Sequence, residues 1–254
     1  MNRRTRWLGA TVVSILIAGI TAFAVGIGTH EADKVESARA TISSADSRYS
    51  FECGFGTFVP EPAAKRLLST PRPKNWVTLE SEAGAAGSGS MAAQVSIQGE
   101  SQRTVTLTGV TFKVHRRVRP PGAIFEEPCG GAFVGRLIVA NLDTSPPRVI
   151  DSNSDPQLPL GAQEGGRPVT KPIRFPWTVS VTDPLLLYLI GSTTTDCYCT
   201  WTAELPWVSG DRHGTILVNN GGKGYSAAGG RHIPTYDYIE GSWKKLDIYT
   251  PPPK

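Results

Sequence analysis

The alternation of apolar and polar residues predicts β-strands along much of the chain. In "RTVTLTG", Val105 and Leu107 share one face and threonines occupy the other, which is the pattern of a half-buried strand. The phase changes at Gly109, because the apolar residues from Val110 to Val114 fall on the alternate positions. A one-residue slip would turn the core face toward solvent, so we expect a bulge or bend at this glycine.

Later segments add further strands and define the fold class. "FVGRLIVANL" is apolar on both faces and predicts an interior strand, and "LLLYLIGS" is a continuous apolar run of strand length. Several short strands, separated by turn residues and without a convincing long amphipathic helix beyond the N-terminal segment, predict a mainly β chain. We expect an immunoglobulin-like β-sandwich, and periodicity leaves a β-barrel open as the alternative.

Two stretches of small or turn-forming residues are predicted to be loops. "SEAGAAGSGSMAA" consists almost entirely of Gly, Ala and Ser, which is typical of a long flexible loop. "DSNSDPQLPLGAQEGGRPVTKP" has no clear periodicity and is rich in Pro, Gly and Asp, so it is predicted to be a long surface loop.

The N-terminal segment is apolar over a length that can cross a membrane. Trp7 to Gly28 contains no charged residue, and a helix rising about 1.5 Å per residue over this length spans a hydrocarbon core of roughly 30 Å. Three arginines precede it and Glu31 and Asp33 follow it, so the positive-inside rule places the N-terminus in the cytoplasm. A cleaved secretory signal is the alternative, because "AFA" at 22–24 has the form of a cleavage site. Both arrangements export the rest of the chain.

These signals divide the chain into five parts. Residues 1–6 are predicted to form a cytoplasmic tail and 7–28 a transmembrane signal anchor in the lipid bilayer. Residues 29–50 have too few apolar residues to bury a face and are predicted to form an exposed helix or stalk. Residues 51–250 are predicted to form an extracellular β-sandwich domain, and 251–254 a short tail.

The net charge reflects this topology more than a basic surface. Three of the basic residues behind the formal net charge of +4 precede the apolar segment, so the exported part is close to neutral. Proteins that bind nucleic acid usually present a broadly basic face, so no nucleic-acid partner is expected.

The four cysteines, Cys53, Cys129, Cys197 and Cys199, predict disulfides, because exported proteins fold in oxidising surroundings. Cys197 and Cys199 share one face of the strand-like run "CYCTWTAEL". In an ideal strand their Cα atoms are about 6.6 Å apart and their side chains are parallel, which disfavours a bond between them. We therefore expect Cys53 to pair with one of them and Cys129 with the other.

No motif assigns a metal, a cofactor or a catalytic residue. The four histidines are scattered without the spacing of metal ligands, so no metal and no cofactor is expected. "GYSAAG" is weakly similar to a nucleophile elbow, with Ser226 as nucleophile and His213 or His232 as base. The motif departs from the usual pattern at Ala228, where glycine is usual.

The strongest binding candidate is the run "FKVHRRVR". If its apolar residues face the core, Lys113, His115, Arg117 and Arg119 line the opposite face as a basic stripe. Such a stripe can hold an anionic polymer or a lipid headgroup through charge-assisted hydrogen bonds. The alternative is an edge strand whose charges discourage pairing with another chain.

Uncharacterised single-pass membrane proteins of high-GC actinobacteria resemble this chain in "VSIQGESQRTVTLTGVTFKV", "IRFPWTVSVTDPLLLYLI" and "CYCTWTAELPWVSGDRHGTILV". The resemblance extends from about Trp76 to Leu246 and implies an anchored cell-envelope protein without assigned catalytic residues. We expect a binding or structural module whose partner is a wall polymer, a lipid or another envelope protein. An exported hydrolase acting on cell-wall polymers is the alternative.

Overall fold

A computed structural model of the protein describes residues 40–46, 56–73, 77–100, 103–126, 135–150, 163–164, 167–168 and 170–246. The prediction of a mainly β chain is confirmed. Within these residues, no helix has the length and hydropathy that a membrane span requires. The predicted transmembrane helix, Trp7 to Gly28, lies outside the described residues.

Short strands dominate the described residues, as the spacing of apolar segments and turns predicts. In chain order they are β1 (Ala40–Asp46), β2 (Thr57–Pro60), β3 (Ala86–Ser88), β4 (Ser90–Gly99), β5 (Val105–Leu107), β6 (Thr111–Val118), β7 (Gly122–Glu126), β8 (Gly135–Asn141), β9 (Arg148–Ile150), β10 (Gln163–Glu164), β11 (Arg167–Pro168), β12 (Thr170–Pro172), β13 (Trp177–Val179), β14 (Leu185–Ser192), β15 (Cys197–Ser209), β16 (Arg212–Val218), β17 (Tyr225–Ala228), β18 (Thr235–Ile239) and β19 (Ser242–Leu246). Two short helices, α1 (Ala63–Leu68) and α2 (Val77–Ala83), lie between β2 and β3.

The smaller of the two main sheets has six strands. Its path runs β1-β4-β14-β8-β12, and β9 pairs with β8. β8 lies inside this sheet, between β14 and β12, so the prediction of an interior strand for "FVGRLIVANL" is confirmed. Its side chains are buried on both faces, with Ile138 and Ala140 in one apolar cluster and Leu137 and Val139 in another, which explains why its apolar residues do not alternate.

The larger sheet has eleven strands and is organised around β15. Its path runs β13-β5-β15-β17-β3-β2-β7-β18-β19, with β6 and β16 also paired to β15. Several neighbouring strands are parallel, among them β8 with β14 in the smaller sheet and β7 with β18 in the larger. Immunoglobulin sandwiches are built from antiparallel sheets, so this topology does not confirm the immunoglobulin-like part of the prediction.

The main hydrophobic core lies between the two sheets. Apolar side chains of β4, β8 and β14 meet those of β5, β6, β15 and β17. Trp201 of β15 is fully buried there and stacks on Tyr225 of β17, with ring centroids 4.8 Å apart. A smaller group, here called the outer cluster, is buried on the other face of the larger sheet and consists of Phe58, Ala86, Tyr198, Ala228 and Ile233.

The predicted break at Gly109 is confirmed. β5 and β6 run along the same edge of β15 and are separated at residues 108–110. Opposite the break lies Pro206, whose carbonyl oxygen accepts a hydrogen bond from the Thr108 N–H at 2.9 Å. Because proline has no N–H to donate toward the same edge, the ladder along this edge is interrupted at Pro206. Leu107 and Phe112, on either side of the break, are both buried in the main core.

The prediction of a flexible loop at "SEAGAAGSGSMAA" is wrong. This stretch contains the end of α2, all of β3 and the start of β4, and its Ala86, Met91 and Ala93 are fully buried. A Cβ added to Gly87 would lie 1.9 Å from the Ser90 carbonyl oxygen. The small residues are therefore required by close backbone packing, which composition does not distinguish from loop flexibility.

The predicted stalk at 29–50 also needs correction, because part of it belongs to the domain. Ala40–Asp46 forms β1, which pairs antiparallel with β4 at the edge of the smaller sheet, from Ala40 opposite Gly99 to Asp46 opposite Gln94. An edge strand is held largely by backbone hydrogen bonds, so it forms without the apolar face whose absence suggested a stalk.

Candidate functional site

The predicted basic residues lie on the face of the larger sheet that points away from the main core. On β6, Lys113, His115 and Arg117 alternate with residues that face inward, and all three are exposed. They stand opposite Thr202, Thr200 and Tyr198 of β15, respectively. Arg119 follows directly after the end of β6. The structure thus brings all four residues to the same region.

Lys113 is the member of the stripe whose charge is most directly neutralised. Its Nζ forms an ion pair with Oε1 of Glu204 on β15. The two side chains are 62% and 31% exposed, so solvent screens the pair and it contributes at most about 1 kcal/mol to stability. At the Lys113 end of the stripe, the positive charge is therefore already paired with the Glu204 carboxylate.

Arg117 lies flat over an aromatic ring. The centre of its guanidinium group is 4.1 Å from the ring centroid of Tyr198. Tyr198 is itself fixed, because its ring is buried in the outer cluster and its hydroxyl donates a 2.8 Å hydrogen bond to the Gly84 carbonyl oxygen. Stacking of this kind leaves the in-plane N–H groups of arginine available to an anion. Among the described residues, Arg117 forms no ion pair.

Arg119 sits deeper than the other members of the stripe. Its guanidinium centre is 5.6 Å from the ring centroid of Phe58, and its Nη2 is 3.2 Å from Oδ1 of Asp196. The Phe58 and Tyr198 rings are neighbours, with centroids 6.5 Å apart. Arg117 and Arg119 therefore cover adjacent aromatic rings of the outer cluster.

The structure does not give Ser226 the geometry of a nucleophile elbow. Ser226 lies within β17, and its hydroxyl shares a 3.0 Å hydrogen bond with that of Thr200 on β15. An elbow places its serine on a tight turn between a strand and a helix. His213 is exposed on β16 and His232 is exposed in the loop before β18.

The predicted disulfide pairing is wrong, because Cys197 and Cys199 are bonded to each other. Their Cα atoms are 5.5 Å apart, which is shorter than in an ideal strand and within the range that a disulfide bridges. Just before β15 the chain turns tightly, because the Cys197 N–H bonds to the Thr195 carbonyl oxygen at 2.6 Å. Both cysteines are buried. Cys53 and Cys129 lie outside the described residues.

A carboxylate that no sequence pattern indicated holds the segment before this disulfide. Asp143 accepts hydrogen bonds from the hydroxyl of Thr193, from the N–H and hydroxyl of Thr194 at 2.9 and 3.0 Å, and from the hydroxyl of Thr195 at 2.7 Å. Burial raises the pKa of the Asp143 carboxyl, and the hydrogen bonds together lower it by more than burial raises it. The pKa therefore lies below its ordinary value of 3.8. The ionised carboxylate is the form that holds this segment.

Arg116 ties the same region to β6. Its side chain points to the opposite face from the stripe and donates hydrogen bonds to the backbone carbonyl oxygens of Leu142, at 2.6 Å, and Thr144. The turn that contains Asp143 is therefore attached both to β6 and to the segment that leads into β15. These contacts join residues far apart in sequence, so spacing alone gave no signal of them.

No protein-family model, curated protein or solved structure matches the chain. In the part of the chain that the structure describes, no group of three or more potential metal ligands comes together. The basic stripe, with the aromatic pair beneath it, is the candidate functional site.

Proposed function

We propose that the protein is a membrane-anchored, extracellular binding module of the cell envelope, and that its basic stripe binds an anionic polymer. In this proposal the ectodomain is an immunoglobulin-like β-sandwich, Trp7 to Gly28 is the anchor, and the N-terminus is cytoplasmic. The resemblance to actinobacterial single-pass proteins supports the same location.

The observation that carries the proposal is the exposed guanidinium of Arg117 on the Tyr198 ring. A structural ion pair would neutralise this charge, and none does so among the described residues. The stacked arrangement restrains the side chain before a ligand arrives, which reduces the entropy lost on binding. Arginine in this state matches the paired oxygens of carboxylate and phosphate groups.

The shape of the stripe favours a linear ligand. Alternate residues of a strand are about 6.7 Å apart, so His115 and Arg117, with Arg119 beyond them, form a row of cationic or titratable groups along β6. An extended polymer with regularly spaced anions can contact such a row along its length. The oxidised Cys197–Cys199 pair supports an extracellular setting, where disulfides persist.

The proposal is tested by retention of the full chain, purified in detergent, on immobilised long-chain polyphosphate as a model polyanion. Replacing Arg117 by Gln removes a charge-assisted contact and is expected to weaken binding about five- to tenfold. Binding of the wild-type protein should also fall steeply as salt is raised.

Arg212→Gln is the matched control. Arg212 carries the same charge and is exposed on β16, where it pairs with Ser209 at the end of β15 that lies away from the stripe. It should bind as the wild type does. Equal retention of the Arg117→Gln and wild-type proteins, or an equal loss in the Arg212→Gln protein, would contradict the proposal.

A further inference from the structure

The proposed site contains an anion of its own. Asp196 immediately precedes β15, and its Oδ1 lies 3.2 Å from Nη2 of Arg119. The Asp196 side chain is 71% exposed, whereas that of Arg119 is only 15% exposed. The exposed carboxylate thus already engages Nη2 of Arg119, a donor that a ligand anion would need.

The Asp196 carboxylate is positioned by its surroundings. It packs against Gly230, where an added Cβ would lie 2.1 Å from Oδ1. On one side of it in the chain, Thr195 is hydrogen-bonded to Asp143, and on the other side Cys197 is bridged to Cys199. An anion attached to its own site in this way competes with free ligands at an effective concentration in about the millimolar range.

Arg119 nevertheless keeps unused hydrogen-bonding capacity. Its Nε is buried and has no hydrogen-bond partner in the described part of the protein, and its Nη1 makes a long 3.5 Å contact with the Pro120 carbonyl oxygen. The pair with Asp196 uses one of its donors. A ligand that displaces Asp196 must therefore form more hydrogen bonds with the site than the Asp196 carboxylate forms.

We propose that Asp196 is a specificity residue, which disfavours carboxylate polymers and selects a polymer that carries phosphate groups. This inference rests on the proposed function of the basic stripe. A ligand carboxylate would replace one carboxylate–guanidinium pair by an equivalent one, so it gains little at Arg119. A phosphate group directs its oxygens tetrahedrally and can bond to two arginines that are not coplanar. Arg117 and Arg119 lie over neighbouring rings whose centroids are 6.5 Å apart and whose planes are inclined by 70°. Rejection of the weaker ligand thus arises from a competing group within the site.

The test compares two probes, polyphosphate and polygalacturonate, on the full chain in detergent. Asp196→Asn should tighten polygalacturonate binding about fivefold and polyphosphate binding only about twofold, because the exposed pair is worth at most about 1 kcal/mol. The preference for polyphosphate should therefore fall. Asp211→Asn, the same charge change beyond the other end of β15, should leave both affinities unchanged. In the double variant that combines Asp196→Asn with Arg119→Gln, the increase in affinity should be abolished.

A second measurement does not depend on binding. The rate at which a dicarbonyl reagent modifies Arg119, followed by mass spectrometry, should rise in the Asp196→Ala protein, because the carboxylate that engages Nη2 of Arg119 is removed. An unchanged rate overturns the inference.

The inference is also overturned if the probe preference does not change while Arg117→Gln still weakens binding, and in that case the proposed function stands. If the Arg117→Gln and wild-type proteins bind both probes equally, the proposed function fails and the specificity role fails with it.

Discussion

At the scale of single residues, Asp143 determines where the segment carrying Asp196 lies. Hydrogen bonds from three consecutive threonines hold its pKa below the ordinary value, against the opposing effect of burial. When folding lowers the pKa of a carboxyl group, the group makes its full contribution to stability at pH values above its ordinary pKa. It loses that contribution as the pH falls through the folded-state pKa, because the proton then binds in both states.

We therefore expect Asp143→Asn to lower the free energy of unfolding at pH 7 by about 1 to 2 kcal/mol, since charge-assisted hydrogen bonds at a partly exposed site are lost. The difference from the wild type should be constant well above pH 3.8 and should shrink as the pH is lowered below it. Urea unfolding at several pH values measures this. Asp211→Asn is the control. A difference that does not change between pH 7 and pH 3 would contradict the assigned role.

Single residues also mark the limit of what the sequence predicts about the site. Alternation along β6 was sufficient to place Lys113, His115 and Arg117 on one face, because the period of a strand depends only on local geometry. The contacts of Arg119 with Phe58 and Asp196 could not be predicted in this way. They depend on which strands become neighbours, and no local pattern encodes that.

At the scale of elements, the start of β15 departs most from expectation. Strand periodicity correctly placed Cys197 and Cys199 on the core side, and the assumption of ideal extension led to the wrong pairing. A contraction of about 1 Å between two Cα atoms was enough to permit the bond. Periodicity thus predicts faces more securely than distances.

Peptide mapping without reduction tests the revised pairing. Trypsin should release Phe175–Arg212 as one peptide, because it contains no internal Lys or Arg, and both Cys197 and Cys199 lie within it. We expect its mass to be lower by two hydrogen atoms than after reduction, with no second peptide attached. A peptide joined to one that contains Cys53 or Cys129 would contradict the observed bond.

Removing this disulfide should have a modest effect on stability. The loop that it closes is only a few residues long, so the chain-entropy contribution is about 1.5 kcal/mol. We infer that its main effect is local, because it holds the backbone directly after Asp196 in one conformation.

At the scale of the whole molecule, the anchor proposal makes a direct prediction about location. The expressed full chain is expected in the membrane fraction, resistant to extraction by high salt and released by detergent, because Trp7 to Gly28 carries no charged residue and is long enough to span the bilayer as a helix. Fractionation followed by N-terminal sequencing measures this. A chain that begins near Val25 and is recovered in the medium would show that the segment is cleaved.

The overall topology was the least predictable part of the fold. Runs of apolar residues identified strands such as β8 and β14, but they did not predict that these strands pair in parallel, or that β15 collects four partners. Strand order depends on contacts between distant segments. The sequence also did not predict that β1 belongs to the smaller sheet. The backbone hydrogen bonds that join it to β4 do not depend on a particular pattern of side chains.

The pairing of β1 with β4 has a mechanical consequence for an anchored protein. The residues between 28 and 40 can span at most about 40 Å, so tension between the membrane and a polymer held at the stripe would enter the domain at Ala40. The load would pass through the hydrogen bonds between β1 and β4, cross the core and leave through β15 and β6. Because β1 is an edge strand bonded on one side only, it is the first element expected to detach under load, and the domain behind it would stay folded.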